Sequence, residues 1–195
     1  MRSMPDHGAF TLAVGLHPYP EEGSVDFKVG DKVVYPNHGV GVIEEVAKRT
    51  IGEVSSSFYC LRILSTDSTV MVPVGNTTVV GLRKVLTKRQ VTKVLKTLKE
   101  GEVATYDDWK GRFQANSDKM RTGDIAAVAE VLKSLTILNE IKPLSYRERK
   151  MLDRARFLLV SELSEAAGKT PDAMEKQIDT SLEDSLSGLQ DNVEH

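Results

Sequence analysis

The chain has 195 residues, enough for one large domain or two small ones, and its formal net charge of −2 hides a strong segregation of charge. Residues 84–160 carry a net charge of +7 and residues 161–195 carry −7, so the basic segment either binds a polyanion or is a solvated helix surface. A single cysteine excludes an internal disulfide, and no apolar run reaches the ~18 residues that would suggest a membrane span.

Residues 1–26 carry one basic and four acidic side chains. A short apolar patch at 9–16 is followed by prolines and acidic residues, without the small-residue cleavage pattern of a secretory signal. We therefore expect a mobile N-terminal tail over residues 1–26, with a cleaved signal as the alternative.

Short strand signals separated by turn residues fill the next segment. Gly30–Asp31 and Asn37–Gly39 predict tight turns on either side of a strand at 32–35. Further strands are predicted at 40–51, 58–64, 69–74 and 78–82, with a bulge or bend in the first of these. Cys60 lies within an apolar strand and is predicted to be a buried, inert thiol. Five short strands with tight turns predict a small antiparallel β-barrel or half-barrel of the SH3 or Tudor type, with an exposed edge.

Helical periodicity replaces the strand pattern at Thr87, a good N-cap residue. A second helix is predicted from residue 105 or 107 to 120, with Trp109, Phe113 and Met120 on one stripe. A buried core helix follows from residue 125, and the capping box Ser145–Glu148 predicts the start of a fourth helix.

A last helix begins at Thr170–Pro171, with four apolar residues on one stripe and an acidic outer surface: Met174, Ile178, Leu182 and Leu186. The fold class predicted is therefore α+β, with a small β-barrel followed by an all-helical domain. The boundaries predicted are a β domain at 27–84, a helical domain at 85–168, an acidic helix at 169–190 and a tail at 191–195.

The residue identities in the β segment are more specific than the spacing of its turns and strands. The string GDKVVYPNHGVG at residues 30–41, followed by the strands at 59–63, 70–74 and 80–83, resembles the RNA-polymerase-interacting module of the CarD/CdnL bacterial transcription regulators. The resemblance continues through Trp109 to the block Ser145–Arg156 and covers roughly residues 27 to 168. It implies a monomeric, cytoplasmic and nucleoid-associated protein that binds the RNA polymerase β subunit and promoter DNA. It also implies stabilisation of the open complex at the upstream edge of the transcription bubble, with no enzymatic activity and no cofactor.

The resemblance assigns polymerase binding to Arg49, Ile51, Met71 and Pro73. Some relatives carry arginine where this chain has Met71, so this contact would be more hydrophobic and less sensitive to salt. The alternative is that Ile51 and Met71 are core residues.

Trp109 matches the tryptophan that in this family wedges into the minor groove beside the melted promoter. Periodicity alone favours a core tryptophan, whereas the resemblance favours the wedge, in which a stacked ring offsets part of the cost of unstacking a base step. Arg112 is then expected to be a basic neighbour of the wedge and to add to DNA affinity. Gly111 and Gln114 stand where relatives often carry basic residues, which reduces the phosphate contacts expected here.

Arg147, Lys150 and Arg154 lie within about 60° of one another on the fourth helix, at 100° per residue. We call these three residues the cationic ridge. They could bind DNA phosphates without reading sequence, or they could be a solvated face. The acidic last helix could shield the ridge when DNA is absent.

Enzyme signatures are weak. Gly168–Lys169–Thr170 looks like the end of a phosphate-binding loop, but Leu163 occupies the position of the required first glycine. The four histidines are scattered and suggest neither a metal site nor a catalytic triad. The rival to a DNA-binding regulator is a scaffold module that uses the β-barrel edge and the basic helices on other proteins.

Overall fold

The computed structural model describes the backbone of residues 11–12, 27–51, 54–100 and 109–191, and side chains over most of these ranges. It divides into two compact units, Met1–Lys84 and Val85–His195. The first holds the strands and the second holds the helices, so the predicted α+β class is confirmed. Within the described residues, no helix is both long and apolar enough to cross a membrane.

The first unit, which we call the β-module, is one bent sheet with the strand order β1-β5-β4-β3-β2-β6. Its strands are β1 (Thr11–Leu12), β2 (Lys32–Tyr35), β3 (Gly39–Ile51), β4 (Val54–Ile63), β5 (Ser68–Pro73) and β6 (Arg83–Lys84). The pairs from β6 through β5 are antiparallel, and β1 is parallel to β5.

Turn chemistry explains the start of this sheet. Gly30 has φ of 90°, and the Asp31 carboxylate accepts a hydrogen bond from the Lys28 amide at 2.9 Å. Asn37 has φ of 61° in the turn that joins β2 to β3, a conformation that asparagine tolerates better than most residues. The register shifts between Ile43 and Glu45, which is the irregularity predicted for this strand.

Two sequence predictions for the β-module are wrong in detail. The predicted closing strand at 78–82 is a turn, and the strand that closes the module is β6. The Val80 amide donates back to the Asn76 carbonyl and Gly81 has φ of 71°, a geometry that curls the chain instead of extending it. Thr11–Leu12, predicted as tail, pair as β1 with Val70 and Met71; the rest of the predicted tail lies outside the described residues.

The core of the β-module lies on one face of the sheet. It is built by side chains that alternate along β4 and β5 and meet those of β2 and β3: Phe27, Val33, Ile43, Tyr59, Leu61, Ile63, Val70, Val72 and Leu82. The Tyr59 hydroxyl accepts a hydrogen bond from the Phe27 amide at 3.2 Å, and the two rings meet edge to face. Side chains on the other face of β3 and β4 are also buried, among them Ala47, Phe58 and Cys60.

The second unit, the helical unit, contains α1 (Lys88–Glu100), α2 (Trp109–Arg121), α3 (Ile125–Ile141), α4 (Tyr146–Ala167) and α5 (Pro171–Asp191). Asp124 caps α3 by accepting from the Ala126 amide, and the predicted Ser145–Glu148 capping box begins α4. Gly168 ends α4 in the left-handed conformation with φ of 67°.

The helices share one apolar core. The buried stripes of α1 and α3 meet those of α4 and α5, and the predicted stripe of α5 is buried at Met174, Ile178 and Leu182. Burial of these stripes is the main source of stability for the unit, because apolar surface is removed from water along every helix interface.

Candidate functional site

α2 packs with a different face from the one that its apolar residues predict. Its buried residues are Arg112, Asn116 and Met120, whereas Trp109 is 40% exposed and Phe113 is half-buried. A helix that buries an arginine and an asparagine in place of its aromatic residues requires specific polar partners for them.

Glu148 on α4 is the partner of Arg112. Arg112 Nε and Nη2 both donate to Glu148 Oε1, at 3.0 and 2.8 Å. The other carboxylate oxygen, Oε2, accepts from the amide and the hydroxyl of Ser145 at 3.1 and 2.7 Å. One carboxylate therefore joins α2 to α4 through one oxygen and caps α4 through the other.

The electrostatics of this carboxylate agree with its geometry. Burial alone raises the pKa of Glu148, but hydrogen bonds from Ser145 and Arg112 outweigh burial and hold the pKa below its ordinary value. Glu148 is 3% exposed and Arg112 is 8% exposed, so the pair is a buried ion pair of α2 with α4. Arg112, expected from the sequence as a basic neighbour of the Trp109 wedge, is thus buried and paired with Glu148, and its guanidinium is not presented at the surface.

Trp109 lies on the outer side of α2, one turn before Arg112. Its indole stacks on the Phe113 ring, with the ring centroids 5.9 Å apart and the planes inclined by 22°. Phe113 therefore contacts one side of the indole, and Trp109 keeps 40% of its surface exposed. Gly111 and Gln114 are exposed on the same helix, and the Gln114 amide donates to Asp118 at 3.0 Å.

The three residues of the cationic ridge are exposed on α4, as their spacing predicts. The structure describes no ion pair for any of the three. Partial burial lowers the pKa of Arg154, yet a guanidinium remains charged at neutral pH. The ridge therefore presents three positive charges that an anionic partner could neutralise.

Aromatic rings flank this ridge, which the sequence pattern did not single out. The Lys150 ammonium lies 5.8 Å from the Tyr146 ring centroid, and the Arg154 guanidinium lies 5.0 Å from that of Phe157. Tyr146 is 77% exposed, although the sequence showed it only as the residue after the cap. The helical period could have revealed it, since Tyr146 and Lys150 are four residues apart and share a face.

The acidic surface of α5 pairs with cations outside the ridge. Asp184 pairs with Lys99 on α1 at 2.8 Å, and Arg156 on α4 pairs with Asp179 and, at 3.7 Å, with Glu175. These ion pairs leave the ridge uncovered, so they give no support to the idea that α5 shields it.

The residues that the resemblance assigned to polymerase binding lie on β3 and β5. Arg49 on β3 pairs with Ser56 on β4, while Cys60 and Phe58 on β4 pair with Met71 and Pro73 on β5. Because cross-strand partners share a face and side chains alternate, Arg49, Met71 and Pro73 lie on the face opposite the β-module core. Arg49 is exposed, and Met71 and Pro73 are half-buried. Ile51 ends β3 opposite Val54, and its side chain is outside the described residues.

Cys60 belongs to the same face but is not a reactive thiol. It is 9% exposed, and burial, reinforced by the charge of Glu45, raises its pKa. A thiol that is protonated and inaccessible is a poor nucleophile, which agrees with the predicted inert cysteine. No group of three metal-binding side chains occurs among the residues that the structure describes.

Two family models match the chain in the same order as its two units. The CarD-like/TRCF RID domain matches residues 27–86, and the CarD C-terminal domain matches residues 93–179. A relative in Bacillus subtilis (strain 168), named "Putative transcription factor YdeB", is 35% identical over 152 residues, which are 78% of this chain and 97% of the relative. The resemblance seen in the sequence is thereby confirmed. The chain belongs to the CarD-like family of transcription factors.

Proposed function

We propose that the chain binds the RNA polymerase β subunit through the β-module and promoter DNA through the helical unit, and that it thereby stabilises the open promoter complex. This role needs no catalytic group and no cofactor. The observation that carries the proposal is the exposed indole of Trp109, stacked on Phe113 in the same unit as three exposed ridge cations.

One buried ion pair joins the two helices that carry the candidate DNA contacts. Trp109 lies one turn before Arg112, and Arg147 adjoins Glu148 in the chain, while Arg112 and Glu148 are in contact at 2.8 Å. Along their own helices, the backbones of Trp109 and Arg147 are thus each within about one helical turn of a residue of the same ion pair. An exposed aromatic ring and exposed cations in one helical unit suit a nucleic acid, which offers base faces and phosphates side by side.

The division of labour follows from the chemistry of each group. Ridge cations bind phosphates of any sequence, so they supply affinity for closed and melted promoters alike. An indole gains most where a base step is already unstacked, since it can then pack on the exposed step. Only this second kind of contact favours the open state, because a ligand shifts an equilibrium through its differential affinity for the two states.

Support for the polymerase contact comes from the match of the β-module to the CarD-like/TRCF RID domain and from the placement of three assigned residues on one sheet face. That face carries the exposed Arg49 on β3 and the half-buried side chains of Met71 and Pro73 on β5. A polar rim next to an apolar patch is typical of protein interfaces.

The test is a measurement of open-complex lifetime on a linear promoter with bacterial RNA polymerase, with and without the full chain, after a competitor blocks rebinding. A longer lifetime that requires both the β-module face and Trp109 supports the proposal. Polymerase binding without any salt-dependent DNA shift would favour a scaffold module instead, and an unchanged lifetime would refute the proposed activity.

A further inference from the structure

α2 carries two stripes that compete for the core of the helical unit. Trp109, Phe113 and Met120 form the apolar stripe, and Arg112, Asn116 and Met120 form the stripe that is buried in the structure. At 100° per residue the centres of the two stripes differ by a rotation of about 40° around the helix axis. A small roll of α2 would therefore exchange one stripe for the other.

Apolar burial alone favours the stripe that is not buried. Two aromatic rings offer far more apolar surface than an arginine stem and an asparagine, and the indole is left 40% exposed. Some specific attraction on the other stripe must therefore offset this preference.

The attraction is supplied by Glu148, whose carboxylate is also held by the cap at the start of its own helix, α4. The capping box fixes its carboxylate, because Oε2 accepts from Ser145 and the Glu148 amide donates to Ser145 Oγ at 3.3 Å. Oε1 then faces α2 and accepts both donors of Arg112. No buried polar side-chain atom among the described residues lacks a hydrogen-bond partner, so the observed rotation satisfies the pair fully.

We infer that the buried Arg112–Glu148 pair sets the rotation of α2 about its axis and so holds Trp109 towards solvent. Both residues are then positioning residues for the indole. The inference rests on the proposed function for its consequence at promoters, but the rotation itself can be measured without DNA or polymerase.

Trp109 is its own probe, since it is the single tryptophan of the chain. In the full chain, Arg112→Glu places two like charges at the buried contact, and position 112 should roll outward while the indole rolls inward. The expected result is a blue-shifted Trp109 emission and acrylamide quenching lowered by about twofold or more, because quenching follows the exposed ring surface. Lys110→Glu is the matched control, with the same charge change at an exposed position of the same helical turn, and its emission should stay close to that of the wild type.

Two further variants separate rotation from folding. Arg112→Ala removes the attraction without introducing repulsion and should also bury the indole. The double variant Arg112→Leu, Glu148→Gln removes both charges. Leucine favours burial at position 112, and glutamine can still form the capping box. The indole should therefore stay exposed in this variant. Unchanged emission and quenching in a folded Arg112→Glu or Arg112→Ala protein would overturn the inference. Loss of helical circular dichroism in both variants would overturn it as well, since the pair would then hold the fold and not the rotation.

Open-complex lifetimes measured on the same variants keep this inference distinct from the proposed function. If Arg112→Glu buries the indole and shortens the lifetime to the Trp109→Ala value, both stand. If the indole is buried and the lifetime is unchanged, the rotation stands and the wedge proposal fails. If the indole stays exposed, the rotation inference fails whatever the lifetime shows.

Discussion

Replacing Trp109 by alanine removes the interaction that we assign to the open promoter. An indole buries up to about 250 Å², so a 40% exposed Trp109 offers about 100 Å² to a partner. At about 25 cal/mol per Å², this area is worth up to about 2.5 kcal/mol. That free energy corresponds to a decrease of up to roughly 70-fold in the lifetime of the open complex.

The assay is open-complex decay at saturating protein, with polymerase binding measured separately. Trp109→Ala should keep its polymerase affinity, and Trp109→Phe, which retains a ring, should fall between the alanine variant and the wild type. The loss of the stack on Phe113 should cost about 0.5–1.5 kcal/mol of folding free energy and leave the unit folded. A wild-type lifetime for Trp109→Ala would refute the reasoning, and a collapse of the fold would return the indole to a core role.

Three further outcomes are expected. The double variant Lys150→Glu, Arg154→Glu should weaken DNA binding about equally for all sequences. It should also reduce the slope of log K against log salt by about 0.9 for each phosphate that the variant no longer neutralises. An effect on one sequence alone would contradict backbone binding. Arg49→Glu should weaken polymerase binding about tenfold or more, or ~1.4 kcal/mol, at an unchanged thermal midpoint, whereas the control Lys48→Glu, next to it in the chain but on the other face of β3, should bind normally. The stability that Glu148 contributes is present above the ordinary glutamate pKa of about 4.3 and is lost as pH falls through its lower folded-state pKa. Chemical denaturation at pH 7 and pH 3 should therefore show a smaller decrease in the free energy of unfolding for Glu148→Gln than for the wild type. The exposed control Glu140→Gln should behave like the wild type.

Local chemistry predicted much of the fold because individual residue types determine where turns and helix caps form. The turn residues before and after β2, the capping box of α4 and the proline at the start of α5 all act where the sequence shows them. The closing strand was misplaced because residues 78–82 have β-branched composition, whereas their hydrogen bonds form turns. β1 was missed because a two-residue strand is too short to show a period.

The rotation of α2 was not predictable from hydrophobic pattern, because the pattern ranks Arg112 as exposed. A buried cation depends on a partner that is distant in sequence, here 36 residues away on another helix. Lys133 makes the same point in α3, since it is 3% exposed and donates to the Lys99 carbonyl at 3.3 Å. Buried cations with distant hydrogen-bond partners thus escape the hydrophobic pattern, and in α2 we infer that such a cation determines whether the indole is available.

The docking of α5 has a practical bearing on any titration with salt. Its bonds to Lys99 and Arg156 are partly exposed, and such bonds weaken as ions accumulate around them. Met174, Ile178 and Leu182 anchor the same helix in the apolar core, and added salt does not weaken this packing. The helical unit should therefore keep its shape in concentrated salt, so the salt dependence of the proposed DNA binding would report the number of displaced counterions.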